Sequence, residues 1–218
     1  MITKALKVPN SLSEITLGQY QKFNKVLSEE PDEDFLQKKT IEIFCQVNLA
    51  DVNQYKYSSI VQVIEIINKM FEQKPTLIKR FKHKGDELAF IPKLDEMSFG
   101  EFVDLDLLLS DWETMDEAMA VLYRKIEHSH KNNYTIEAYD SDKTQDMRSM
   151  PLDVALSSLF FLESLSKELT NHILLFLENK VEELPTEQKL NLLKTSAGGQ
   201  VSGLLARVNW STLKRLRS

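Results

Sequence analysis

The chain has 218 residues, 42% of them hydrophobic, which is enough to bury a core without disulfides or metal. Its single cysteine, Cys45, excludes an internal disulfide framework and a cysteine-built zinc site, and a net charge of −6 argues against nucleic-acid binding through bulk electrostatics. Six glycines and six prolines favour helices over a turn-rich β architecture, and no apolar run approaches the ~18 residues that would span a membrane.

In chain order, Ile2 to Val8 alternates loosely and reads as a short strand or arm, with no apolar stretch of the kind a secretory signal carries. Thr16 and Gln19 form a capping box that starts a helix bearing Leu17, Tyr20, Phe23 and Leu27. After an acidic break at Glu29 to Asp34, a second helix carries Phe35, Ile41, Ile43 and Phe44 and ends near Val47. Ser58 or Ser59 is the expected cap of a third, with Ile60, Val61, Ile64, Ile67 and Phe71 on one face. A β-hairpin is expected at about 77–92, turning at Lys84, Gly85 and Asp86.

Two further capping boxes, Ser98 with Glu101 and Thr114 with Glu117, announce two more helices. The charged stretch from Glu127 to Asn133 reads as a loop, Tyr134 to Tyr139 as a short strand and Asp140 to Arg148 as another loop. A long helix then starts at Pro151, a residue suited to the first helical position, with Asp153 favourable at the same end. Eight of the eleven residues from Leu152 to Leu162 are apolar, so this half is expected to be buried on several sides. Beyond it the stripe narrows to Leu165, Leu169, Ile173, Phe176 and Leu177. A helix of about 30 residues spans roughly 45 Å, long enough to project or bridge to a partner.

The fold class is therefore mainly α with a small β-hairpin or sheet, α+β, with a long helix in the C-terminal half. Residues 1–184 are expected to form a helical domain with the hairpin inserted. Residues 185–218 form a basic amphipathic tail on a joint at Thr195 to Gly199. From Lys189 onward there are six cations and no acid. The tail residues Leu204, Leu205, Arg207, Trp210, Lys214, Arg215 and Arg217 are the candidate partner-binding set, suited to a protein groove or to docking on the protein's own domain or a neighbouring subunit.

Signatures of catalysis are absent. The run from Gly199 to Gly203 misplaces its serine for a nucleophile elbow, and neither a P-loop nor a G-x-G-x-x-G is present. Cys45 sits in an apolar helical context and reads as a core residue. His128 and His130 form an H-x-H pair without further ligands at metal spacing, and read as solvated loop residues. Asp104, Asp106 and Asp111 read as acidic surface residues or as a receiver for the basic tail, and Trp112 as a packing residue. No catalytic, metal or cofactor site is expected, and the chain is not expected to be an enzyme.

Several segments carry a resemblance: PNSLSEITLGQYQKF (9–23), MSFGEFVDLD (97–106), SDWETMDEAMAVLYR (110–124), Tyr134 and Tyr139, and MPLDVAL (150–156) with Leu159 to Phe161 and Lys167 to Leu169. Together they resemble a family of proteins from tailed bacteriophages, found in marine and crAss-like phages. The resemblance covers residues 8 to 180 and carries no catalytic residues with it. It implies a structural or assembly protein, located in the virion or in the cytoplasm of the infected host. It also implies partners among phage structural proteins of the tail or portal region, with self-association possible and nucleic acid not expected. The expected function is a virion-associated structural or packaged cargo component acting through protein–protein contacts. Two alternatives remain open at this point: a tail-assembly chaperone absent from the mature particle, and a nucleic-acid-binding or host-takeover factor whose salt-sensitive binding would be lost with residues 195–218.

Overall fold

The computed structural model describes residues 6–131, 133–142 and 145–181, with the backbone alone for 176–181. Four helices come first: α1 (Leu17–Ser28), α2 (Glu33–Cys45), the one-turn α3 (Leu49–Val52) and α4 (Tyr57–Phe71). The hairpin β1 (Arg80–His83) and β2 (Asp86–Phe90) follows, then α5 (Phe99–Leu108), α6 (Met115–Leu122), β3 (Tyr123–His130), β4 (Asn133–Ile136) and the long α7 (Leu152–Val181). The result is the expected α+β class, helix-rich with one antiparallel sheet in the order β1-β2-β3-β4.

Two of the three capping boxes form as the sequence indicates. Thr16 accepts from the Gln19 N–H at 3.2 Å while Gln19 accepts from the Thr16 N–H at 2.9 Å. The Ser98 hydroxyl accepts from the Glu101 N–H at 3.3 Å, and Glu101 accepts from the Ser98 N–H at 2.6 Å. The third does not form. A 3₁₀ turn (Trp112–Thr114) leads into α6, so Thr114 lacks the extended backbone of a capping residue. Its hydroxyl donates instead to the Leu108 carbonyl at 2.8 Å, and Asp111 accepts from the Glu113 N–H at 3.0 Å.

Other boundaries also move. Neither Ser58 nor Ser59 caps α4, which begins at Tyr57 behind Lys56, without a side-chain cap. Its buried stripe is Ile60, Val63, Ile67, Met70 and Phe71, leaving Val61 and Ile64 half-buried on the flank. The polar stretch expected as a loop from Glu127 is the outer half of β3, which pairs with β4 as far as His130↔Asn133. It hides from a pattern search because Glu127 to His130 are all exposed, and a strand with neither face covered shows no alternation. Residues 6–8 form no strand, and 1–5 lie outside the described residues. The hairpin turns where expected. Lys84 and Gly85 both hold positive φ (50° and 93°), the geometry of a two-residue type I′ turn.

The start of α7 is tied to the start of α1. Thr16 and Pro151 form an isolated antiparallel bridge. The Leu17 N–H donates to the Met150 carbonyl at 2.9 Å, the Gly18 N–H to Arg148 at 2.7 Å and the Leu152 N–H to Ile15 at 2.8 Å. Helix N-termini leave their first N–H groups without intrahelical partners, and here a distant segment of main chain supplies the acceptors. Glycine at 18 suits this close approach, because a Cβ there would lie 3.0 Å from the Arg148 carbonyl oxygen, a tight contact that the neighbour would have to relieve. Pro151 therefore just precedes the helix rather than occupying its first position, and its carbonyl accepts from the Ala155 N–H.

The core has two ends. At the helical end an aromatic chain links Tyr20 to Trp112 (4.7 Å between centroids), Tyr20 to Phe71 (5.6 Å) and Phe23 to Phe44 (5.0 Å). At the sheet end Phe90 packs edge-on against Phe161 of α7 at 5.7 Å and against Tyr123 at 5.4 Å. Main-chain polarity is satisfied there by side chains: the Ile78 N–H donates to the buried Ser157 hydroxyl at 3.1 Å and the Tyr123 hydroxyl donates to the Ile78 carbonyl at 2.9 Å. The proximal half of α7 thus faces α1 on one side and the sheet on another, and Leu152, Val154 to Leu156 and Leu159 are all buried.

Candidate interaction surfaces

The most concentrated polar geometry joins α5 to the sheet. Arg124 of β3 pairs with Glu101 of α5 at 2.5 Å, with both side chains largely buried. The same guanidinium lies 5.8 Å from the Tyr139 ring centroid, and the Tyr139 hydroxyl donates to Asp104. Burial, then the Asp104 carboxylate, pushes the Tyr139 hydroxyl up to about 12. Burial also works to raise the Glu101 carboxyl, but the Ser98 N–H and hydroxyl together with Arg124 outweigh it and hold it below its ordinary value. Arg124 and Tyr139 border a cleft of about 450 Å³ that is also lined by Glu117, Lys125 and Glu137. The Arg124–Glu101 pair ties β3 to α5, and the Tyr139 hydroxyl on Asp104 adds a second tie to the same helix.

The residues singled out from sequence fall elsewhere. Cys45 is buried at the end of α2, and burial pushes its thiol up to about 11, so it is protonated at neutral pH. His128 and His130 stand exposed on β3, opposite Thr135 and Asn133. Among the described residues no group of three His, Cys, Asp or Glu side chains is placed to hold a metal ion. Asp104 and Asp111 serve the local bonds already given, and Trp112 is a core residue against Tyr20. The tail set, Leu204, Leu205, Arg207, Trp210, Lys214, Arg215 and Arg217, lies outside the described residues, as do the side chains of Phe176 and Leu177.

Among the described residues, two apolar surfaces stand open to solvent. The first runs along distal α7, where Leu165, Leu169 and Ile173 recur every fourth residue and are 39%, 38% and 45% exposed. Leu174 and Leu175 widen it. This is the narrow stripe the sequence indicates. The second lies on α5, where Phe99, Val103 and Leu107, also four apart, are 83%, 43% and 67% exposed. Sequence reading missed it, because Leu105 and Leu109 are equally apolar and supply the buried face. The available signal was six large apolar residues in the ten of α5, more apolar surface than one core contact covers. Among the described residues no helix is long and apolar enough to cross a membrane.

No family model, curated protein or solved structure matches the chain.

Proposed function

We propose that this protein is a virion-associated component of a tailed bacteriophage that works by protein–protein contact rather than by catalysis. The observation that carries the contact is distal α7. It leaves the domain with a regular apolar stripe on its side, and Leu165, Leu169 and Ile173 fit the i, i+4 anchors of a helix seated in a partner's groove or against another helix. The phage setting rests on the resemblance of residues 8 to 180. The partners under this reading are other structural proteins of the tail or portal region.

Mass spectrometry of purified particles tests the setting. Abundant peptides from this chain are expected. Their absence from particles, with the protein plentiful in the infected cell, would overturn the virion reading in favour of a tail-assembly chaperone. The contact is tested by a triple variant, Leu165→Ser, Leu169→Ser and Ile173→Ser, which should fold normally and fail to enter particles.

A further inference from the structure

We propose that the exposed face of α5 is the docking site for this chain's own C-terminal basic segment, residues 204–217. The surface differs from that on α7 in its charge. Between residues 93 and 117 there are nine carboxylates and the single lysine Lys93. The apolar stripe of Phe99, Val103 and Leu107 lies along the helix at the middle of this acidic region. Distal α7, by contrast, mixes Glu163 and Glu168 with Lys167, and Lys167 is already paired to Glu163 at 2.6 Å. An occupant for α5 must therefore bring apolar side chains together with positive charge.

Residues 204–217 have that composition. Leu204, Leu205, Val208, Trp210, Leu213 and Leu216 are interleaved with Arg207, Lys214, Arg215 and Arg217, and no acid follows Glu187. Phe99 is the most exposed large apolar residue among the described residues and is the natural counterpart of Trp210. Four of these acids already face cations, Glu96 at Lys93, Glu101 at Arg124, Glu113 at Lys25 and Asp116 at Arg148, and the region keeps a net negative charge after that pairing.

The tether is long enough for the site to be filled within one chain. The last well-buried leucine of α7 is Leu162, and the helix runs on to Val181, roughly 28 Å further at 1.5 Å per residue. The 22 residues between Val181 and Leu204 reach up to about 75 Å when extended. A domain of this size has a radius of gyration of about 16 Å, so the reach exceeds the return path to any point on its surface. Tethering within one chain also raises the effective concentration of the segment at the site, which favours it over a second copy.

Trp210 is itself the probe, since the other tryptophan, Trp112, is buried and constant. The full chain is compared with its Trp210→Phe variant to isolate the Trp210 emission and its quenching by acrylamide. Docking predicts a blue-shifted, quencher-protected signal in the wild type. It predicts a red-shifted, freely quenched one in the double variant Phe99→Ser with Leu107→Ser, whose sites are exposed enough to leave the fold intact. Losing both anchors should lower the docking equilibrium constant roughly a hundredfold. Reversing the tail charges, Arg207→Glu with Lys214→Glu and Arg215→Glu, should release Trp210 as well, and rising salt should weaken protection in the wild type. A Trp210 signal already freely quenched in the wild type, or equally protected in the α5 variant, would overturn the proposal. So would protection that grows with protein concentration alongside a dimer in light scattering, which would assign the site to a second copy.

Discussion

Along one helix, α7 shows two treatments of the same residue types. From Leu152 to Leu162 its side chains are enclosed by α1 and the sheet, and even Ser157 and Ser158 are buried. From Leu165 onward the leucines recur at helical spacing with a third or more of their surface in water. Leucine content does not decide burial; the supply of neighbours does. The proximal half has Phe90 and Tyr123 on one side and the α1 start on the other, whereas the distal half has outrun both.

The contrast can be broken most severely at Leu159, which is fully buried. Leu159→Ala should cost about 2–5 kcal/mol, read as a lower urea midpoint with unchanged slope. The partly buried Arg124–Glu101 pair should show a smaller effect. Glu101→Gln keeps the side-chain shape but weakens a charged hydrogen-bond set, at about 1.5–3 kcal/mol near neutral pH. Because the folded carboxyl is held below its ordinary value, its contribution is present above the normal carboxylate range and is lost as pH falls through the folded value. Urea midpoints measured from about pH 6 down to pH 3 should therefore fall more steeply for the wild type than for the variant. Thr16→Ala, which removes the α1 cap beside the Pro151 bridge, should cost about 1 kcal/mol in the same assay. The smallest effect belongs to the distal half: Leu169→Ala should stay within about 0.5 kcal/mol of wild type. A large loss there would mean that the stripe is already covered by the protein itself.

Much of the fold was legible where local signals and burial agree. The Thr16 and Ser98 boxes, the Lys84-Gly85 turn and the split character of α7 all follow from residue types at fixed spacing. The failures lie where residue type and spacing do not decide the backbone. Outer β3 is polar on both faces and exists because β4 pairs with it. Thr114 is diverted by the 3₁₀ turn before it, and α4 starts at Tyr57 without the serine cap that its sequence advertises. The candidate surfaces were half legible. The α7 stripe narrows visibly in the sequence, whereas on α5 no periodicity separates Phe99, Val103 and Leu107 from Leu105 and Leu109.

The bridge between Thr16 and Pro151 has a kinetic consequence. It closes a loop of more than 130 residues with only a few main-chain hydrogen bonds, so the chain entropy of bringing these ends together is spent before the reward arrives. Contacts of such long sequence separation slow folding more than they alter equilibrium stability. During synthesis, α1 to α4 can gather around Tyr20 and Phe44 while the segment that completes the first turn of α1 has yet to be made. The order of events is then set by the position of Pro151 in the chain: the helix that presents the outward stripe is laid down only as the body closes behind it.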